Sequence, residues 1–185
     1  MANKVEFGIS QLHVCTYTVS GNTVTLGTPY HQEGAVSFSP EENSEQNTFY
    51  ADNIAYWSGY SGGSIEGDLE VAMFDDEFKT QFLGYRTLTN GGLANVKNAT
   101  KPNVAIFFQV EGDNESRRVA LYNCSLGAIK REYNTIEENK EPATETLSVT
   151  CTGDNASGVT MAVLKPGDTG YDTLFTAPTA PVLAP

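Results

Sequence analysis

The pentapeptide Gly59-Tyr60-Ser61-Gly62-Gly63 fits the G-x-S-x-G pattern of a hydrolase nucleophile elbow. That chemistry needs a serine exposed on a tight turn between a strand and a helix, with a histidine later in the chain as its base. The context here is wrong for it: a strand-like segment follows the serine, and both histidines, His13 and His31, precede it. We read Gly59 to Ser64 as a flexible turn. Glu66, Asp68 and Glu70 are the second candidate set, because alternate residues of a strand share one face about 7 Å apart, a spacing open to paired acid–base carboxylates or to calcium. No calcium-loop pattern accompanies them, and we take them as an acidic ladder facing solvent or an interface. Glycine-rich phosphate loops are also missing, so neither a catalytic nor a cofactor site is expected. Cys15, Cys124 and Cys151 are odd in number, far apart and without a C-x-x-C pair. They read as small buried residues rather than as a disulfide framework or a zinc site.

The more informative constellation is "TFYADNIAYWSGY", which gathers Phe49, Tyr50, Tyr56, Trp57 and Tyr60 around Asp52 and Asn53 and contains the chain's one tryptophan. Two readings stand. These are half-buried strand residues capping a core, or they are a subunit interface, since Tyr and Trp bring large contact area with few rotors and are enriched at binding hot spots. A carbohydrate-binding module is the alternative from another class, with Tyr56, Trp57 and Tyr60 stacking on sugar rings beside Asp52 and Asn53.

Charge narrows the choice of partners. The net charge is −12, and replacing the counterions of nucleic-acid phosphate requires clustered Lys and Arg, so direct nucleic-acid binding is not expected. Residues 1–78 hold twelve carboxylates against Lys4 alone, whereas the remainder holds eleven carboxylates and ten cations. One acidic half beside a nearly neutral one implies a polar distribution of surface charge. There is no signal-peptide pattern and no run of apolar residues long enough for a membrane helix, so the chain is expected in the cytosol, with no membrane partner.

The elements that must position these residues are mainly strands. The composition is rich in Thr, Ser, Val, Gly, Tyr and Phe, which suits pleated surfaces and tight turns. "HVCTYTV" and "TVTLG" flank Ser20-Gly21-Asn22 as a hairpin. "EENSEQN" has nothing apolar to bury and reads as an exposed loop. "SIEGDLEVAMF" alternates cleanly, with Ile65, Leu69, Val71 and Met73 on one face and the three carboxylates on the other. It leads into one helix, over about 75–84, with Asp75 as N-cap, Phe74, Phe78 and Phe82 on one stripe and Gly84 as terminator. "NVAIFFQVEGDNESRRVALYNCSLGAI" predicts a second, central hairpin closed by Gly112-Asp113-Asn114-Glu115. The charged stretch "KREYNTIEENKEPATE", with Lys130, Arg131, Glu137, Glu138 and Lys140, reads as a protruding arm; "TLSVTCTG" and "GVTMAVLK" are two further strands. Residues 1–185 make one domain, in which 153–185 form a C-terminal segment whose Pro-rich end, "FTAPTAPVLAP", is expected to be extended and loosely held.

The order of "NKVEFGISQLHV", an acidic loop, "TFYADNIAYW", the G-D-L-E strand ending before "FKTQFLGY", and "ALYNCSLG" resembles the major tail tube proteins of long, flexible-tailed bacteriophages over about residues 3–152. The "FYADN" block with the G-D-L-E strand is its most specific part. The resemblance implies a β-sandwich or barrel-like sheet flanked by one helix. It also implies a non-enzymatic virion protein, assembled in the host cytoplasm into hexameric rings that stack into a tube through which DNA passes. Its implied partners are further copies of itself, the tape measure protein, the tail terminator and the distal tail or baseplate protein. In that setting Phe49, Tyr50, Asp52, Asn53, Tyr56 and Trp57 become the candidate subunit interface. Glu66, Asp68 and Glu70 become a candidate acidic lumen face, and Lys130, Arg131, Glu137, Glu138 and Lys140 a candidate inter-ring arm.

Overall fold

A computed structural model describes residues 8–44, 46–60, 62–112, 115–133, 135 and 142–183. The fold is mainly β, as the composition and alternation predict. The first hairpin joins β1 (Gly8–Ser20) to β2 (Thr23–Leu26) through a turn at Gly21 and Asn22, and β3 (Tyr30–His31) returns along β1. Then come β4 (Ala35–Asn43), β5 (Gln46–Ala51), β6 (Ile54–Tyr60) and β7 (Ser64–Val71). The helix α1 (Asp76–Phe82) is followed by the short pair β8 (Arg86–Thr87) and β9 (Leu93–Ala94). The chain continues through β10 (Val104–Glu111), β11 (Arg118–Arg131), β12 (Glu145–Cys151) and β13 (Met161–Leu164).

Nine of these strands form one antiparallel sheet in the order β2-β1-β10-β11-β12-β7-β4, with β13 on β11 and β3 on β1. The sheet curls until β4 lies beside β1 without pairing to it, so it stops short of a closed barrel. The central hairpin is where the sequence places it, and its near-continuous apolar run has a cause: both of its faces are covered. Val104, Ile106 and Phe108 face one core, while Ala105 and Phe107 face another. Asp113 and Asn114 of its expected turn lie outside the described residues.

The first core is closed by α1 and the residue leading into it: Phe74, Phe78 and Phe82 stack in succession at centroid distances of 4.8 and 5.1 Å. Asp75 occupies the N-cap position, but its carboxylate accepts a hydrogen bond from the Tyr30 hydroxyl at 2.9 Å instead of capping the backbone. Gly84 leaves the helix at φ +71°, a left-handed conformation that suits glycine. The buried Glu145 at the start of β12 holds this corner together. It accepts the Phe74 N–H at 2.9 Å and forms ion pairs with Lys79 at 3.8 Å and Arg131 at 2.6 Å.

Two expectations are corrected here. Cys124 and Cys151 stand directly opposite across β11–β12 and are joined by a disulfide, leaving Cys15 as the free buried thiol. Their separation of 27 residues hides a pairing that only strand register creates. "EENSEQN" is largely strand as well: Glu41, Glu42 and Asn43 complete β4, and Gln46 and Asn47 begin β5. Backbone pairing with β6 and β7 holds these residues extended, and Glu41, Glu42 and Asn43 are exposed, so no apolar side chain is needed there.

The C-terminal segment covers the second core. Leu174 is buried against Phe107 and Tyr122, and the Tyr171 hydroxyl donates to the Ser116 carbonyl at 2.6 Å. Arg118 lies over the rings of Tyr171 and Phe175, at 4.1 and 4.4 Å. Phe175, expected in the loose tail, stacks on His13 at 4.7 Å, and His13 in turn stacks on His31 at 4.6 Å. Beyond it, residues 178–183 have no regular structure, and Val182 and Leu183 are exposed.

Candidate functional site

The residues from 35 to 71 form one long hairpin in two parts. Its base, β4 with β7, belongs to the main sheet and pairs from Ala35↔Val71 out to Asn43↔Ser64. Its distal part, β5 with β6, pairs from Gln46↔Tyr60 to Ala51↔Ile54 as a separate two-stranded ribbon. Asp52 and Asn53 turn the chain at its tip with φ of +52° and +60°. Positive φ at both central residues is the geometry of a tight two-residue hairpin turn, which Asp and Asn tolerate. Sequence reasoning placed this pair within the aromatic block and missed that the pair is the turn, although alternation on both sides of "DN" is the signal. At the junction Gly63 is required, since a Cβ there would fall 2.0 Å from the Asn43 carbonyl oxygen.

The ribbon keeps its aromatics in solvent. Phe49 and Trp57 face each other across the strands, and together with Tyr50, Ile54 and Tyr56 they are 57–74% exposed. The reading of half-buried residues capping the core therefore fails. The Trp57 ring lies across Gly59, where a Cβ would come within 2.5 Å of it. A two-stranded ribbon is marginally stable by itself, and a contiguous exposed apolar cluster is uncommon on a monomeric subunit.

The second surface is the outer face of the β4–β7–β12 region. Glu70, Asp68 and Glu66 run down β7 with Ser37, Ser39 and Glu41 directly opposite on β4 and Thr146, Ser148 and Thr150 on β12. The result is a carboxylate ladder flanked by short hydroxyl side chains. Glu70 accepts hydrogen bonds from Thr144 and, at 3.0 Å, from Ser37. These bonds favour its ionised form and hold its pKa below the usual carboxylate value.

The third set is only partly described. Lys130 and Arg131 sit within β11, paired with Thr146 and Glu145, and the Arg131 guanidinium contacts Glu145 of its own chain. Any arm therefore starts after Arg131, and Glu137, Glu138 and Lys140 lie outside the described residues. Ser61 of the elbow pattern also lies outside them; its flanks are the strands β6 and β7, not strand and helix. The histidines sit together in the stack beneath the C-terminal segment, where His13 Nδ1 is 2.8 Å from the Gln11 carbonyl. Among the described residues no cluster of His, Cys, Asp and Glu is arranged to hold a metal ion, and no helix is long and apolar enough to cross a membrane.

Comparison with known proteins gives the family. The family model for phage tail tube proteins matches residues 2–158. The chain belongs to the phage tail tube protein family. A curved sheet with one capping helix and a projecting hairpin is thus the tail tube subunit's fold in this chain. Among solved structures, a chain of the anti-feeding prophage baseplate, reconstructed with six-fold symmetry, is 10% identical and has a TM-score of 0.50, with 90% of this chain and 99% of that chain covered. The anti-feeding prophage tube-terminating cap is also 10% identical, with a TM-score of 0.49 over 88% of this chain and 95% of that one. A chain from the tail of an empty GTA particle is 16% identical with a TM-score of 0.38 over 85% and 96%. At these identities the likeness concerns the fold, and only the first reaches a level that bears on it. No curated protein matches.

Proposed function

We propose that this tail tube protein is a structural, non-enzymatic virion subunit that assembles in the host cytoplasm into rings, six-fold by family resemblance, that stack into the tail tube. The observation that carries the reading is the ribbon, whose five large apolar side chains are 57–74% exposed in the isolated subunit. Burial of such a cluster by a neighbouring copy supplies the hydrophobic drive for association. Phe49, Tyr50, Tyr56 and Trp57 make the contact, and Asp52 and Asn53 shape its tip.

The carboxylate ladder of Glu66, Asp68 and Glu70 faces the lumen in this reading. DNA sliding past it meets like charge and short hydroxyls, with Lys130 the cation nearest in register, beyond Thr146 from Glu70. The segment after Arg131, with Glu137, Glu138 and Lys140, reaches toward the next ring. Tape measure, terminator and distal tail or baseplate proteins are the partners at the tube's centre and ends.

Negative-stain electron microscopy with sedimentation velocity across a concentration series tests the proposal. Rings or tubes are expected, and a strict monomer at the highest concentration, even with tail initiator components added, would overturn it. Replacing Glu66, Asp68 and Glu70 together by Lys is expected to leave folding and tube formation intact and to lower infectious titre. Unchanged titre would remove the lumen assignment alone.

A further inference from the structure

Where the curled sheet stops short of closure it leaves an apolar groove of about 510 Å³ between β4 on one side and β1, β10, β11 and β13 on the other. Its walls include Ile9, Phe38, Phe108, Val119, Met161 and Val163. Val36 and Val163 are about half exposed, so the open mouth of the first core has apolar surface left uncovered. We infer that this groove receives the aromatic ribbon of a second copy of the chain, an inference that rests on the tube reading and names the surface that reading leaves open.

Three observations commit the groove to that occupant. First, the ribbon does not fill its own groove. Phe38 lines the groove on β4, whereas Phe49 lies on β5, which pairs with β6 and not with the main sheet. Among the described residues none of the ribbon lines the groove, and Phe49, Tyr50, Tyr56 and Trp57 remain exposed.

Second, the charges are complementary. The hairpin from 35 to 71 contains Glu41, Glu42, Glu45, Asp52, Glu66, Asp68 and Glu70 and no Lys, Arg or His. The groove has Arg117 on its wall and Lys165 beside it, two cations that share the single carboxylate of Glu115. An all-acidic hairpin repels its own kind, which disfavours tip-to-tip pairing and favours docking at a basic rim.

Third, ribbon and groove are different surfaces, so the contact is heterologous: each copy offers a tip and a groove, and the contact repeats from copy to copy without using itself up. The aromatic tip enters the groove and covers the exposed edge of the first core, while Asp52 faces the Arg117 side.

Two variants with single added cysteines, Tyr56→Cys and Val163→Cys, are mixed, assembled and treated with a short bismaleimide. Cys15 is buried, and Cys124 and Cys151 are joined to each other, so the added thiols react. A cross-link between the two variants in assembled material, absent from dilute subunits, is the expected result. Tubes that form without it overturn the groove assignment and leave the tube reading standing. Failure of the unmodified chain to assemble overturns both. A link within one chain from Val163→Cys to Phe7→Cys, with none between chains, would give the groove to the chain's own N-terminal residues. Val163→Glu, at an exposed position that leaves the fold intact, is expected to raise the concentration needed for assembly roughly tenfold; no change would count equally against the inference.

Discussion

Two groups of aromatic residues, about twenty positions apart in the sequence, have opposite fates. Phe74, just before α1, and Phe78 and Phe82 on it are 0–1% exposed, whereas the ribbon's Phe49, Tyr50, Tyr56 and Trp57 are 57–74% exposed. Residue chemistry does not distinguish them; partnership does. The helix is short and lies on the open mouth of a curled sheet, so its phenylalanine stripe has a surface waiting in the same chain. The ribbon projects past the end of that sheet, and its aromatics face neither core. A large apolar group that the fold leaves in water, on an element that pairs only with itself, points to a surface on another molecule.

The sharpest way to break this comparison is to truncate one member of each group. Phe78→Ala is expected to destabilise the subunit by about 3–5 kcal/mol, through lost transfer free energy plus a cavity. Trp57→Ala is expected to change subunit stability by less than about 0.5 kcal/mol, as at an ordinary surface site, yet to abolish or strongly weaken assembly. Chemical denaturation of dilute subunits gives the first quantity and sedimentation the second. If Trp57→Ala unfolds the subunit, the ribbon is a core element after all.

The paired region has a second support that the ribbon lacks. Glu145 is buried with Lys79, and it ties α1, β11 and β12 together through Phe74, Lys79 and Arg131. Among the described residues, Glu145→Ala leaves the buried Lys79 ammonium with only the solvent-exposed Asp76 at 3.9 Å and is expected to cost about 3 kcal/mol in urea denaturation. Replacing Lys79 and Glu145 together by Met is expected to recover most of that loss, because the pair's desolvation cost disappears with it. A double variant as weak as the single one would show that the Phe74 N–H bond, not the ion pair, carries the effect.

Much of this was legible beforehand. The β class, the β1–β2 hairpin, the β7 carboxylate face, the helix with its phenylalanine stripe and the central β10–β11 hairpin all follow from local periodicity and turn residues. What escaped depends on register between distant segments. Cys124 meets Cys151, and His13 meets His31, only once β11–β12 and β1–β3 are paired. Likewise "EENSEQN" has no apolar signal, because Glu41, Glu42 and Asn43 complete β4 with every side chain exposed. The aromatic block was visible as a binding candidate, but whether its side chains lay inside or outside depended on where the main sheet ended. Phe175 was hidden by its Pro-rich context, which argues for extension even where one ring is anchored by Arg118 and His13.

A smaller effect separates the two regions by pH. Burial, together with the nearby His31 and Arg118, holds the His13 pKa below its ordinary 6.5, and the backbone bond to Gln11 only partly offsets this. The groups packed on the ring are His31 on β3 and Phe175 of the C-terminal segment, with Arg118 of β11 against the far side of Phe175. A base depressed in the folded state binds fewer protons there than when unfolded, so stability is full above the unfolded pKa. It declines as pH falls from about 6.5 through the lowered folded value. A modest fall in Tm is therefore expected between pH 7 and 5, and His13→Phe should flatten it. The exposure of Trp57, measured by its fluorescence, is expected to stay constant across the same range, because His13 lies on β1 of the main sheet and not on the ribbon.

The finest test lies inside the ribbon. A Cβ at Gly59 would sit 2.5 Å from the outer edge of the Trp57 indole, so Gly59→Ala must turn that ring away from the strand. The displaced atoms are the far end of one exposed side chain, and the backbone at Gly59 does not have a left-handed φ, so the subunit's stability is expected to stay within about 0.5 kcal/mol of the parent. Trp57 is the chain's one tryptophan, so its emission reports this element alone. In the parent it is expected to shift to shorter wavelength on assembly, as the ring leaves water. In Gly59→Ala the dilute subunit should give a nearly unchanged spectrum, while the blue shift should come only at higher concentration. An unaltered assembly threshold would mean that the indole contributes area but no shape to the contact, and a blue-shifted spectrum in the dilute parent would mean that the ribbon's aromatics are already covered.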